Sequence, residues 1–219
     1  MNALLPRATT DRILDAAEIR FAQRGYEATS LADIADDVAI RTPSLYKHFA
    51  SKRDLYVAVL ERLLDPYFEL LGRLLTVPRD ADEAERNLVA VVSHYMQTPR
   101  LAQLVQHAAL AGDEELELLV TRWYEPLFRR ATELTAVVPF VDARQAFALV
   151  ISFHSMMSGY VTMAPLHARL TGRDPHGTEA VGEQLAFMRA LARQLWSMPQ
   201  PAPRQPKSPR PSKPKSKKR

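Results

Sequence analysis

Apolar side chains recur at three- and four-residue intervals along almost the whole of this chain. Ile13, Leu14, Ala17 and Phe21 make one stripe of a helix over 11–24, which Gly25 stops. Leu31, Ile34, Ala35 and Val38 repeat the i, i+3, i+4, i+7 spacing. Ser30 is suited to cap that helix, and Asp33 puts a carboxylate in its first turn, where the helix dipole favours it. Thr42 offers a second cap, with Pro43 following at the first helical position, where its missing N–H costs nothing. Leu45 and Phe49 lie four apart and share one face. Ser51 caps a long helix over 52–75, apolar at 55, 59, 63, 67, 71 and 74, which Pro66 should kink. Further helices are predicted over 81–97, ended by Pro99, and over 100–111, ended by Gly112. Asp113 caps a helix over 114–136 that carries Pro126. Asp142 caps one over 143–164, with Gln145 as a partial capping box, and Thr178 caps a last one over 179–197. The segment 165–177 contains Pro165, Gly172, Pro175 and Gly177 and reads as a loop or partly frayed turn. No run alternates with period two between hairpin turns, so the pattern is that of an all-α protein.

The surface of the short helix near residue 45 changes this picture most. At about 100° per residue, Pro43, Ser44 and Lys47 point nearly opposite to Leu45 and Phe49, with Tyr46 and His48 on the flanks. From Ala39 to Arg53 there are four cations, Arg41, Lys47, Lys52 and Arg53, and no acid. Residues 1–56 as a whole carry eight Lys+Arg and eight Asp+Glu. Affinity for a polyanion must therefore come from where the cations sit, because binding follows the phosphates neutralised. One reading is a helix that enters the major groove of DNA. The plainer reading is a helical hairpin whose polar face is merely solvated.

The 219 residues leave room for a small domain and a larger one. Cysteine is absent, which excludes disulfides and suits a reducing compartment such as the cytoplasm. The start, MNALLPRATT, lacks the apolar core of a signal peptide. The most apolar run, Phe147–Ala164, contains His154 and three serines and falls short of the roughly 20 apolar residues that cross a bilayer. A buried helix is the expectation, with no membrane span. Residues 199–219 hold eight Lys+Arg, seven prolines and no acid, a composition expected to stay disordered. Without them the chain has 21 Lys+Arg against 25 Asp+Glu. The tail reads equally well as a non-specific DNA arm or as a solubilising extension.

Ile13–Leu60 resembles the N-terminal domain of the TetR family of bacterial transcription regulators. The matching pieces are ILDAA at 13–17, F-A-x-R-G-Y-x-A-T-S from Phe21, Ile34–Ala35, S-L-Y-K-H-F-x-S-K from Ser44, and Leu55. The family usually has glycine in the turn where this chain has Ala39. Alanine takes left-handed angles at a cost of about 1 kcal/mol, so the turn is either slightly strained or closed with right-handed angles. The resemblance implies a helix–turn–helix DNA-binding domain over 8–53 and a six-helix ligand-binding and dimerisation domain over 54–198. It implies that Thr29, Tyr46, His48 and Lys52 meet the backbone of a double-stranded DNA operator. Pro43, Ser44 and Lys47 are then candidates for base-edge contact, flanked by Arg41 and Thr42; lysine can donate to guanine O6 and N7.

The fifth and sixth predicted helices of the larger domain carry more apolar surface than one core needs. Phe147–Ala164 is apolar nearly all round, with small residues Ala148, Ser152, Ser155, Ser158 and Gly159. The last helix has Val181, Leu185, Met188, Ala192 and Leu195 in one seam, with Phe187 and Leu191 on a neighbouring one. The resemblance implies that helices 143–164 and 179–197 pair with their copies in a homodimer, so that the operator is a near-palindrome. It also implies a cavity for a small-molecule effector. Candidates to line it are Tyr67, His94, Tyr95, His107, Trp123, Tyr124, Phe128, Phe153, His154 and Met157; the alternative for each is ordinary core. Enzyme readings find no support in a chain with no cysteine nucleophile, Gly-rich phosphate loop or G-x-S-x-G elbow. The six histidines have no paired ligand spacing, so neither a metal nor a cofactor is expected. Two functions remain: a repressor released by a small molecule, and an architectural or co-regulatory DNA-binding protein with no small-molecule inducer.

Overall fold

The structure, a computed structural model, describes residues 8–76, 79–112, 114–137 and 143–197. Every regular element among them is helical: α1 Thr9–Arg24, α2 Leu31–Asp37, α3 Thr42–Leu45, α4 Lys52–Leu74, α5 Ala81–Gln97 and α6 Pro99–Ala111. Then follow α7 Glu114–Leu119, a π-helical turn Val120–Tyr124, α8 Glu125–Val137, α9 Ala143–Thr162, α10 Ala164–Thr171 and α11 Thr178–Ser197. The caps expected at Asp113 and Asp142, the side chains of Gln145, Ala192 and Leu195, and the tail 199–219 lie outside the described residues. No helix among the described residues is long and apolar enough to cross a membrane.

The stripes read from the sequence become the core. Ile13, Ala17, Phe21, Ile34, Ala35 and Leu45 are fully buried and close the three-helix head. Leu55, Val59, Leu60 and Tyr67 carry the core up α4. Helix α4 packs on α1 at one end and on α5, α6 and α8 along its length, while α11 lies against α5 and α9 against α6 and α8. Ser30 accepts the Asp33 N–H at 3.1 Å and Ser51 accepts the Asp54 N–H at 3.0 Å, so both expected caps are made.

Helix α4 runs through Pro66 as one helix, within one residue of the expected bounds. Three expectations need correction. Thr42 is the first residue of α3 and Arg41 takes the cap position, leaving Pro43 inside the first turn. Pro99 starts α6 in place of merely ending α5. The expected loop over 165–177 holds α10, in which Pro165 occupies the first turn and Gly172 the left-handed C-terminal position. Proline reads as a breaker in sequence, yet the first turn of a helix has free N–H groups and tolerates it. Pro126 has the opposite effect. It has no N–H for the carbonyl of Arg122, and the helix widens into the π turn just before it.

The turn between α2 and α3 closes with left-handed angles at Ala39, φ 54°. Ile40 N–H bonds Ala35 O and Ala39 N–H bonds Asp36 O, both at 3.0 Å. This is a Schellman closure with alanine where glycine is usual. Ala39 is exposed and its methyl group packs on little. Ala39→Gly is expected to relieve about 1 kcal/mol of strain, partly offset by the greater freedom of unfolded glycine. The melting temperature should rise by about 1–2 °C. Ala39→Val should lower it, because a β-branched residue fits left-handed angles worst. Thermal denaturation of the two variants checks the opposed signs.

Candidate nucleic-acid interface

Helix α3 is one turn long, and its backbone bonding continues past Leu45: His48 N–H and Phe49 N–H both reach Leu45 O, at 2.9 and 3.1 Å. Leu45 is fully buried and fixes the inner face. Arg41, Pro43, Tyr46, Lys47 and His48 are exposed, Tyr46 at 52%, while Thr42 and Ser44 are half-buried. The residues singled out near α3 thus share one outward surface.

The side chains that aim this surface come mostly from α1. Arg20 donates to both carboxylate oxygens of Asp37, each at 2.6 Å, which fixes the end of α2. The hydrogen bond from Arg20 holds the Asp37 carboxyl below its ordinary pKa. Arg12 donates to Val38 O at 2.6 Å and so pins the turn itself. Thr10 Oγ1 and His48 Nδ1 are 2.9 Å apart, joining the start of α1 to the far end of the exposed segment. Sequence reasoning did not find Arg12 or Arg20. Its one signal was the equal count of acids and bases in the head, which says that charges pair but not which.

At the start of α4, Lys52 donates to Glu27 O at 3.2 Å and sits 4.3 Å from the centre of the Tyr26 ring. An ammonium has three N–H groups, so two remain for an incoming anion. Thr29 does not fit the phosphate contact expected of it. It is 2% exposed, and its hydroxyl donates to Gly25 O at 2.8 Å. A phosphate needs a donor, and that single hydrogen is committed inside the head.

The head is tied to the body by a short charged relay. Glu18, buried on α1, accepts from Arg62 of α4 and, at 2.9 Å, from Arg100 of α6. Asp15 holds Arg62 as well, at 2.8 Å. His107, expected to line the effector cavity, lies against Gly25 at the end of α1, where a Cβ would meet its Nδ1 at 3.2 Å, and borders a separate groove formed with α10.

Within the body a cavity of about 400 Å³ opens between α4, α5, the π turn, α9 and α11. Tyr67, Tyr124, Phe153 and His154 line it. Tyr95, Trp123 and Met157 are buried core beside it, and His94 stacks on Tyr67 with ring centres 6.3 Å apart. Trp123 is held by a 2.7 Å bond from its indole N–H to Asp65 of α4. Phe128 lines a second cavity of about 350 Å³ on the other side of Tyr124 and His154. No group of three His, Asp or Glu among the described residues is placed to hold a metal ion.

A short exposed helix, locked in a three-helix head and carried on an all-helical body, defines the class as a helix–turn–helix protein. Residues 13–59 match the sequence profile of the bacterial regulatory proteins of the tetR family. The chain is 33% identical to the transcriptional repressor KstR2 of Rhodococcus jostii, over 52% of this chain and 78% of that protein. It belongs to the TetR family. The likeness to the transcriptional repressor ComR of Escherichia coli K12 is closer, 46%, but spans 26% of this chain and 27% of that protein. The fold extends further than the sequence likeness. The crystal structure of the fatty acid degradation regulator FadR from Bacillus halodurans superposes with a TM-score of 0.58 at 17% identity, covering 87% of this chain and 96% of that one.

Proposed function

We propose that this chain is a DNA-binding transcriptional repressor that works as a homodimer and leaves a near-palindromic operator when a small molecule binds its body. The observation that carries this reading is the outward surface of Pro43, Tyr46, Lys47 and His48 directly opposite a fully buried Leu45. The head over 8–53 reads DNA and the body over 54–198 pairs and responds.

Lys47 and Ser44 face base edges, with Pro43, Arg41 and Thr42 around them. Lys52, Tyr46 and His48 hold the phosphate backbone, and the free N–H groups at the start of α4 add to the pull of Lys52. Pairing through α9 and α11 is supported by what these helices leave uncovered. Ile151 on α9 is 44% exposed and Phe187 on α11 is 56% exposed. Gly159 and Gly182 have open space where a Cβ would stand, so another helix could approach closely. A two-fold dimer would set the two α3 surfaces into successive major grooves, roughly 34–36 Å apart.

Coupling would run from the cavity to the head through α4. A ligand touching Tyr124 acts one residue from Trp123, whose indole holds Asp65, while Arg62 and Arg100 hold Glu18 of the head. Such a ligand weakens DNA binding only by preferring one arrangement of the body over the other.

Phosphate contacts position and base contacts specify, so two lysines should behave differently. Selection from random duplexes first gives the preferred operator. Lys52→Ala is expected to weaken binding to every duplex by a similar factor. Lys47→Ala is expected to lose about 1–3 kcal/mol on the preferred operator and little on others. Equal losses on all sequences for Lys47→Ala would refute its assignment to a base edge.

A further inference from the structure

We infer that the 400 Å³ cavity takes an uncharged, mainly apolar small molecule with one hydroxyl or carbonyl group, which the Tyr67 hydroxyl meets. This rests on reading the cavity as the effector chamber.

The wall is the first observation. Leucines 71, 74 and 88, with Phe153, Met156 and Met188, supply most of it, and no Lys, Arg, Asp or Glu lines it among the described residues. The ionisable groups present are neutral at pH 7. Burial pushes the His154 ring below its ordinary pKa and raises the Tyr67 and Tyr124 hydroxyls above theirs. A carboxylate entering this space would lose its water and gain no cation. An ammonium would lose its water and gain no acid.

The second observation is independent of the first. Tyr67 is 1% exposed, and its hydroxyl has no hydrogen-bond partner. His94 and Tyr95, whose rings lie against that of Tyr67, also leave the His94 Nε2 and the Tyr95 hydroxyl buried and unpartnered. A buried polar atom without a partner costs about 1–3 kcal/mol, and folded proteins leave few of them. Of the three, Tyr67 is the one whose residue lines the apolar cavity, which is large enough for a small molecule. Two other polar groups of the wall have each other: the Tyr124 hydroxyl lies 3.5 Å from His154 Nε2. Because Tyr67 alone of these three borders the cavity, one polar group on the ligand is called for, and it can accept from Tyr67. Apolar carbon fills the rest.

The test uses the full chain at pH 7 and two skeletons, each with a neutral and a charged member. Calorimetry and thermal shift compare 2-naphthol with 2-naphthoate and decanol with decanoate. Naphthalene reports the apolar contribution alone. At least one alcohol is expected to bind tenfold or more tightly than the carboxylate of its skeleton. Tyr67→Phe keeps the ring, removes the orphan and should not harm the fold. It is expected to weaken 2-naphthol by about five- to tenfold, the worth of one hydrogen bond, and to leave naphthalene unchanged. Carboxylates that bind as tightly as the alcohols would overturn the inference while keeping the cavity as a ligand chamber. Failure of both skeletons, or an unchanged 2-naphthol affinity in Tyr67→Phe, would overturn it outright. An alcohol that binds without changing DNA affinity would support the ligand class and reject the effector role.

Discussion

A Phe187→Arg variant is expected to sediment as a monomer and to bind a two-half-site operator about 10²–10⁴-fold more weakly than the parent protein. The argument begins on α11. Met188 is fully buried against the body, and Phe187, the next residue, points away with more than half its surface in water. A phenylalanine brings on the order of 150–250 Å² of surface to an interface, so a helix that shows one to solvent is costly unless a partner covers it. Open space at Gly182 on α11 and at Gly159 on α9 fits a close helix–helix approach. In a two-fold arrangement Phe187 lies near the interface twice, once from each chain, and an arginine there puts two like charges where an apolar contact is lost. A dimer holds its second head close to the second half-site, and that local concentration disappears in a monomer. The fold of the single chain should survive, because the inner seam of α11 keeps Val181, Leu185 and Met188. Analytical ultracentrifugation and titration against one and two half-sites check the prediction. A dimer that persists in Phe187→Arg would place the interface elsewhere.

Much of the fold was legible because it is periodic. The stripe Ile13, Ala17, Phe21 and the pair Leu45, Phe49 say which face is buried, and Ser30 and Ser51 say where α2 and α4 start. Such signals are local, and they fail where the outcome depends on distant parts of the chain. Pro165 looks like the end of a helix, but a turn at Met163 lets it begin a new one. Arg20 and Asp37 are 17 residues apart, and nothing in either neighbourhood says that they meet.

The cavity was the least legible feature. Tyr67, Tyr95, Trp123 and Met157 are all large and apolar at helical spacing, and a core residue and a cavity wall have the same pattern. Only packing decides that Tyr67 borders empty space while Tyr95 and Met157 are filled in. His107 shows the same limit in reverse. It belongs to α6, whose contact with α1 carries it to Gly25 and away from the cavity. The exposed surface around α3 was legible because its residues are neighbours in sequence as well as in space. The supports that aim it, Arg12 and Arg20, are neighbours only in space.

Phe21→Ala is expected to cost about 3–5 kcal/mol and to abolish DNA binding while the body remains folded. Phe21 is fully buried at the junction of head and body. Its ring stands edge-on to Tyr56 of α4 at 5.0 Å and stacks with Tyr26 at 6.0 Å. Tyr26 and Tyr56 are themselves 4.9 Å apart, so the three rings form one closed cluster. That cluster joins α1, the turn after it and the first turns of α4. Lys52 lies over the Tyr26 ring, so the same cluster also places a phosphate-contact candidate. Truncation to alanine would empty the centre of it, and a three-helix head has little other core to draw on. The body has its own reserve in Leu63, Leu64, Val91, Val92, Tyr95, Leu101 and Leu104, all buried. Loss should therefore be unequal along the chain, a state in which the head opens before the body. Urea denaturation should split into an early and a late transition, and rapid proteolysis should be confined to residues before the middle of α4. A single cooperative transition near that of the parent protein, with operator binding intact, would show that the aromatic cluster does not hold the head in place.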